Sequence, residues 1–240
     1  LFILSLMLSA CGSEKKAIKS EPEKTAEPKK TISMAVLYFD NNSLTNVKEL
    51  DPFKKGLTDS LITDLSVLES IQIVERTKLE HLLNELKLSS SGMVDENSAK
   101  KIGKILGVNY ILLGSYVCID KSLRVDARII NVSTGVITKS VSVNGLAENF
   151  FDLIDDLSHK IGDGLSLAIK KSEEQPHEKL DFKAVLLYSE GLDLMDKKDY
   201  SGAEDKFNMA LKLSPDYKAA SQKLCEINNM GTGLKNPEKN

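Results

Sequence analysis

The sequence predicts an α/β fold, a mixed sheet packed with helices, followed by a small all-α unit. Three observations predict it. Strand-like and helix-like apolar spacings alternate from residue 32 to residue 170. Three strand-like segments, at 109–119, 122–131 and 135–144, are separated only by short polar breaks, so they are expected to form antiparallel hairpins. Beyond residue 184 the apolar spacing is helical.

The chain opens on ten residues, Leu1-Phe2-Ile3-Leu4-Ser5-Leu6-Met7-Leu8-Ser9-Ala10, closed by Cys11. A membrane-spanning helix needs about 20 apolar residues. Half that length fits the apolar core of a signal peptide, expected to lack its own start. Leu8-Ser9-Ala10-Cys11 resembles the lipobox cut by the lipoprotein signal peptidase, which makes Cys11 the expected lipidation site. Several acyl chains at about 0.8 kcal/mol per buried CH₂ make such an anchor effectively permanent. Gly12 stands where an Asp would resemble an inner-membrane retention signal, so in a two-membrane cell the periplasmic face of the outer membrane is expected. Residues 11–31 are charged, contain Pro and carry almost no large apolar side chain, the pattern of a disordered tether. Such a tether spans about 25 Å as a coil and roughly 65 Å when stretched.

The whole chain has 240 residues, 41% of them hydrophobic and 28% charged, with a formal net charge of −3. That suffices for one or two modest cores and offers no basic excess for nucleic acid. Cys118 and Cys225 fall in what read as separate domains and are expected as small, buried or half-buried residues rather than a bridge.

Residues 32–39 read as a strand ending in the polar turn Asp40-Asn41-Asn42-Ser43. Asp51-Pro52 reads as an N-cap followed by Pro at the first helical position, and Leu50, Phe53, Leu57, Leu61, Leu65 and Leu68 form one stripe behind it. Residues 71–74 read as a short strand, and Thr77-Lys78-Leu79-Glu80 as a capping box opening a helix with Leu79, Leu82, Leu83 and Leu86. Residues 89–93 interrupt the pattern. Ala99, Ile102 and Leu106 then mark a helix for which Gly107 is the expected C-terminal cap. Of the three strands that follow, the first is apolar at Tyr110-Ile111-Leu112-Leu113, as if covered on both faces. The second alternates Leu123, Val125, Ala127 and Ile129 with Arg124, Asp126 and Arg128, so one face should be wet. A helix near 148–168, with Phe151, Leu153, Ile154, Leu157, Ile161 and Leu165, closes the domain.

Ala35-Val36-Leu37-Tyr38-Phe39, Leu61-Ile62-Thr63-Asp64-Leu65 with Val74-Glu75-Arg76-Thr77-Lys78-Leu79, Leu112-Leu113-Gly114-Ser115 and Asn131-Val132-Ser133-Thr134-Gly135 together resemble the CsgG family, whose namesake exports curli subunits. The resemblance implies an outer-membrane-associated assembly lipoprotein that tends to form rings. The domain is also similar to those of lipoproteins that activate peptidoglycan synthases and of flagellar outer-membrane lipoproteins. Fold alone does not choose among these roles.

Residues 171–183, with Pro176, read as a linker. Residues 184–217 resemble one tetratricopeptide repeat, with Gly191, Ala203, Phe207, Ala210 and Pro215 at the positions where two antiparallel helices need small contacts, an aromatic knob and a stop. Glu190 departs from that pattern, where an apolar residue is usual. A third helix within 215–227 is expected to complete a unit over 184–228, and 229–240 reads as a loose tail. Since an array needs about three repeats, the unit should lean on that helix, on the first domain or on another copy. It reads equally as a helix-in-groove docking site or as a stabilising hairpin without a ligand.

No enzyme chemistry is legible. His81 lacks the second His and the Glu placement of a zinc-protease helix, and His159 and His177 have no ligand at metal spacing, so all three read as solvated surface. Gly103 and Gly107 form no phosphate loop, Ser89-Ser90-Ser91 has no base beside it, and Asp152, Asp155 and Asp156 read as an acidic helix face. The expected function is a non-catalytic scaffold or assembly lipoprotein without metal or cofactor, anchored to a membrane. Its α/β domain would self-associate and the repeat would dock a protein partner. The rival is a curli-type secretion channel, disfavoured because its two membrane hairpins would demand roughly 40 residues of alternating pattern. A regulator of a cell-wall synthase is a variant of the first reading.

Overall fold

The computed structural model describes residues 31–68, 70–86, 95–166 and 180–233. The predicted signal peptide, Cys11, the tether before residue 31, the break at 89–93, His177 and the linker over 171–179 lie outside the described residues.

Strand β1 (Ile32–Val36) lies second from one edge of a mixed sheet, pairing in parallel with β3 (Ile71–Ile73) and with β4 (Tyr110–Ile119). β4 continues antiparallel into β5 (Ser122–Asn131) and β6 (Ile137–Leu146), giving the order β3-β1-β4-β5-β6. The parallel pairs need crossovers, which helices supply; the antiparallel pairs need only the turns at Asp120-Lys121 and 132–136. The predicted turn after residue 39 is in part a strand: β2 (Asp40–Asn41) pairs in parallel with β4 at Ser115 and Tyr116. The Asn42 N–H then donates to the Tyr116 carbonyl and the Cys118 N–H to Ser43 Oγ.

One sheet face carries α2 (Phe53–Ser66) and α5 (Phe150–Gly164) over a core of Phe39, Phe53, Leu57, Leu61, Leu112, Tyr116, Val125, Ile129, Phe150 and Ile154. Phe53 stands edge-on to Tyr116, ring centroids 4.9 Å apart. A single turn, α1 (Val47–Leu50), precedes α2. Pro52, not Asp51, is the N-cap of α2, so that predicted start lies one residue early. The opposite face carries α3 (Arg76–Glu85) and α4 (Glu96–Leu106) over Leu37, Leu79, Leu83, Ile102, Ile111 and Ile130. Helix α4 begins on Asp95, whose carboxylate accepts from the Ser98 N–H at 2.7 Å, and ends on Gly107 at φ 69° as predicted.

The capping box at Thr77 does not form. Helix α3 already begins at Arg76, and Glu80 turns inward to accept from the Tyr38 hydroxyl at 2.5 Å. A carboxylate committed to that buried hydroxyl cannot also reach back to a helix end.

Three further helices follow, α6 (Phe182–Asp196), α7 (Tyr200–Leu213) and α8 (Lys218–Gly233). Helix α8 runs on past residue 229, so the start of the predicted loose tail is helical. Cys118 is buried as expected, but Cys225 is exposed on α8, where a buried or half-buried residue was expected. His159 is likewise not simply solvated: it is partly buried, with Nδ1 3.1 Å from Asp155 Oδ1.

Candidate functional site

Residues singled out from the helical spacing meet as follows. Ala203, Phe207 and Ala210 line the fully buried side of α7, while Pro215 is exposed in the turn before α8. Gly191 of α6 lies under the Phe207 ring, where a Cβ would come within 2.4 Å of a ring carbon. Glu190 forms an ion pair with Lys206 across α6 and α7. Helix α6 crosses α2 where Gly56 lies against Ser189, and a Cβ there would meet Ser189 Oγ at 2.1 Å. The unit thus leans on the first domain: Val185 belongs to the core beneath α2, Phe182 is 5.3 Å from Phe53, and Phe151 of α5 is 5.8 Å from Tyr217.

At the end of that crossing sits a buried charge cluster. Lys55 (2% exposed) reaches Asp196 at 2.7 Å, Asp193 at 2.9 Å and Glu80 at 3.7 Å. Arg76 (3% exposed) reaches Asp196 at 2.6 Å and Asp59 at 3.5 Å, and donates to the Tyr38 hydroxyl at 3.3 Å. The Tyr188 hydroxyl donates to Asp59 at 2.7 Å. Burial alone would lower the Lys55 pKa, but the hydrogen bond and charge of Asp196, then of Asp193, outweigh it and raise it. For Asp193, burial would raise the pKa, but hydrogen bonds from Lys197 and Lys55 prevail and hold it below the usual carboxylate value. Burial pushes the Tyr38 hydroxyl far up, so it stays a neutral donor. The side chains mix four segments, each charge partnered only after folding, so no periodicity announces them. The one legible trace is Lys55, which falls inside the apolar stripe from Phe53 to Leu65.

The second feature is a half-covered sheet. Helices α3 and α4 end over the row Ile111, Ile130, Ile137. Leu113, in the next row, still packs against that cluster, and three further cross-strand rows of β4, β5 and β6 continue on that face with no helix over them among the described residues: Ser115-Asp126-Ser142, Val117-Arg124-Asn144 and Ile119-Ser122-Leu146. The far row is apolar, with Ile119 and Leu146 about half exposed. In the middle, Arg124 holds Asp126 bidentately at 2.8 and 2.6 Å. Two shallow depressions mark this face, one of about 560 Å³ against Asp40, Asp95, Leu113 and Arg128, the other of about 480 Å³ against Val117, Ile119, Arg124 and Leu146. The wet face predicted for β5 is therefore real and belongs to three strands.

The junction's cations and carboxylates are spent on one another, and the sheet face offers hydroxyls, one ion pair and an apolar end. Among the described residues, no group of three or more His, Cys, Asp or Glu is placed to hold a metal ion, and no helix is long and apolar enough to cross a membrane.

The family model of the curli production assembly/transport component CsgG matches residues 15–124. The chain is 26% identical over 170 residues to a protein of Rhizobium meliloti (strain 1021) named putative adenylate cyclase 3, covering 69% of this chain. It spans only 27% of that relative's length. Among solved structures, it is similar to LpoB of Escherichia coli (16% identity, 59% of this chain and 82% of that one, TM-score 0.41). It is also similar to lipoprotein GNA1162 of Neisseria meningitidis (16%, 56% and 99%, TM-score 0.41) and to the PelC dodecamer of Paraburkholderia phytofirmans (14%, 58% and 91%, TM-score 0.36).

Proposed function

We propose that this protein is a non-catalytic outer-membrane lipoprotein, facing the periplasm, that serves as a scaffold or assembly component and docks another protein on the open face of β4, β5 and β6. The observation that carries the reading is that half-covered sheet in a chain whose residues 15–124 are similar to the CsgG family. An α/β sheet ordinarily buries both faces, so three rows that no described helix covers are a place for a partner. The polar tether behind Cys11 supports the anchoring. The chain enters β1 beside the start of β4, whereas the apolar row lies at the far end of that ten-residue strand, about 30 Å away. The helical unit, packed through α6, keeps α7 and α8 as a second surface for a partner.

The channel reading has less support. The two turns joining β4, β5 and β6 are short, and neither holds a membrane hairpin. A role in regulating a cell-wall synthase remains a variant of the scaffold reading. Site-specific crosslinking in cells tests the proposal, with photoreactive residues placed at Arg124, Arg128 and Leu146 and, as a control, at the exposed Val67 at the end of α2. A discrete adduct from the sheet face, abolished by Val117→Lys, is the expected result. Failure of all three sheet positions to capture a protein while the anchored chain stays abundant would overturn it.

A further inference from the structure

Helix α6 binds the first domain the way a recognition helix binds a groove. Phe182, Val185, Ser189, Asp193 and Asp196 recur at three- and four-residue steps along one face. Phe182 meets Phe53 edge to face, Val185 is fully buried, Ser189 fits over Gly56, and the two carboxylates close on Lys55 and Arg76. The receiving surface is balanced in charge without this helix, because Lys55 keeps Glu80 and Arg76 keeps Asp59. Docking α6 adds Asp193 and Asp196, so four carboxylates share two buried cations, with Lys197 helping only from the exposed side of Asp193. Asp193 and Asp196 therefore strengthen pairs that already exist, and opening leaves Lys55 beside Glu80 at 3.7 Å and Arg76 beside Asp59 at 3.5 Å.

We propose that the α2–α3 face around Lys55 and Arg76 is a docking site for an acidic amphipathic helix with two carboxylates three residues apart. Helix α6 fills it in cis, and a partner protein's helix of the same chemistry can take its place. A tethered helix competes at an effective concentration on the order of millimolar, so a partner must offer contacts beyond those of α6. Displacement would free the α6–α8 unit while leaving the sheet intact.

The test uses the full chain and a labelled synthetic peptide of residues 181–197. In a chain carrying Asp193→Lys and Asp196→Lys, the cis helix is repelled and the site is left intact. The peptide should bind this variant at least about tenfold more tightly than the unsubstituted chain, a difference of about 1.4 kcal/mol. A peptide with Asn at both carboxylate positions should lose about tenfold. Native-state hydrogen exchange on the unsubstituted chain supplies the second measurement: amides of α6 to α8 should exchange through an opening that leaves β4 to β6 protected. Equal binding of the Asp and Asn peptides would overturn the proposal. So would loss of the whole fold in the Lys variant, or exchange of α6 to α8 only on global unfolding.

Discussion

Replacing Asp196 by Asn probes the junction at its most connected atom. Asp196 Oδ2 receives both Lys55 Nζ at 2.7 Å and Arg76 Nη1 at 2.6 Å, and the carboxylate side chain is 8% exposed. Removing one partner of a buried ion pair costs about 3–5 kcal/mol. Here Lys55 retains Asp193 and Glu80, and Arg76 retains Asp59, so the lower end, about 3 kcal/mol, is expected. For a domain of this size each kcal/mol shifts the melting temperature by about 2–4 °C, which gives a fall of roughly 6–12 °C. Urea unfolding followed by circular dichroism should show the same loss as a lower midpoint. Glu226→Gln on α8 breaks a partly exposed pair with Lys223 and should cost no more than about 1 kcal/mol. A cycle of Asp196→Asn with Lys55→Met should show coupling of about 0.5–3 kcal/mol. If Asp196→Asn melts within about a degree of the unsubstituted chain, the cluster does not hold the helices to the domain and the electrostatic reasoning fails.

Gly191→Leu should overpack the Phe207 ring and cost about 1–3 kcal/mol, as should Ala203→Leu or Ala210→Leu; unchanged helix content and melting in all three would refute the packing assignment. The junction should weaken at both ends of the pH scale. Asp193, depressed in the fold, contributes stability that is present above its unfolded value near 3.8 and is lost as pH falls through its lower folded value. Lys55, raised in the fold, contributes stability that is full below 10.5 and is lost as pH rises through its higher folded value. Melting curves between pH 3 and 11 check both limbs, and a flat lower limb in an Asp193→Asn chain would tie it to that carboxylate. Mass spectrometry of the mature protein should find a lipidated Cys11 at its start, and an unmodified thiol there would remove the anchor. The unlipidated fragment from Ile32 onward should give no discrete channel currents in a planar bilayer; such currents would restore the exporter reading.

Periodicity along the chain was enough to place most elements within a residue or two. The stripe from Phe53 to Leu65 became α2, Gly107 took its positive φ at the end of α4, and the alternation from Ser122 to Asn131 became β5 with its arginines in water. Such patterns are legible because a helix or strand face is set by residues three, four or two apart. The capping box at Thr77 shows the limit of that local logic, since Glu80 found a better partner in Tyr38, 42 positions away.

What the sequence determined by itself was therefore the alternation of elements, the antiparallel run of three strands, the helical spacing after residue 184 and the lipobox-like start. Tertiary structure alone decided that Lys55 and Arg76 are buried, that Asp193 and Asp196 from a segment more than a hundred residues later neutralise them, and that α3 and α4 stop short of the last three rows of the sheet. The reason is physical. Amphipathic spacing reports only whether a position faces core or water, whereas burying a charge depends on which distant partner arrives, and an uncovered sheet face depends on where a crossover helix ends in space.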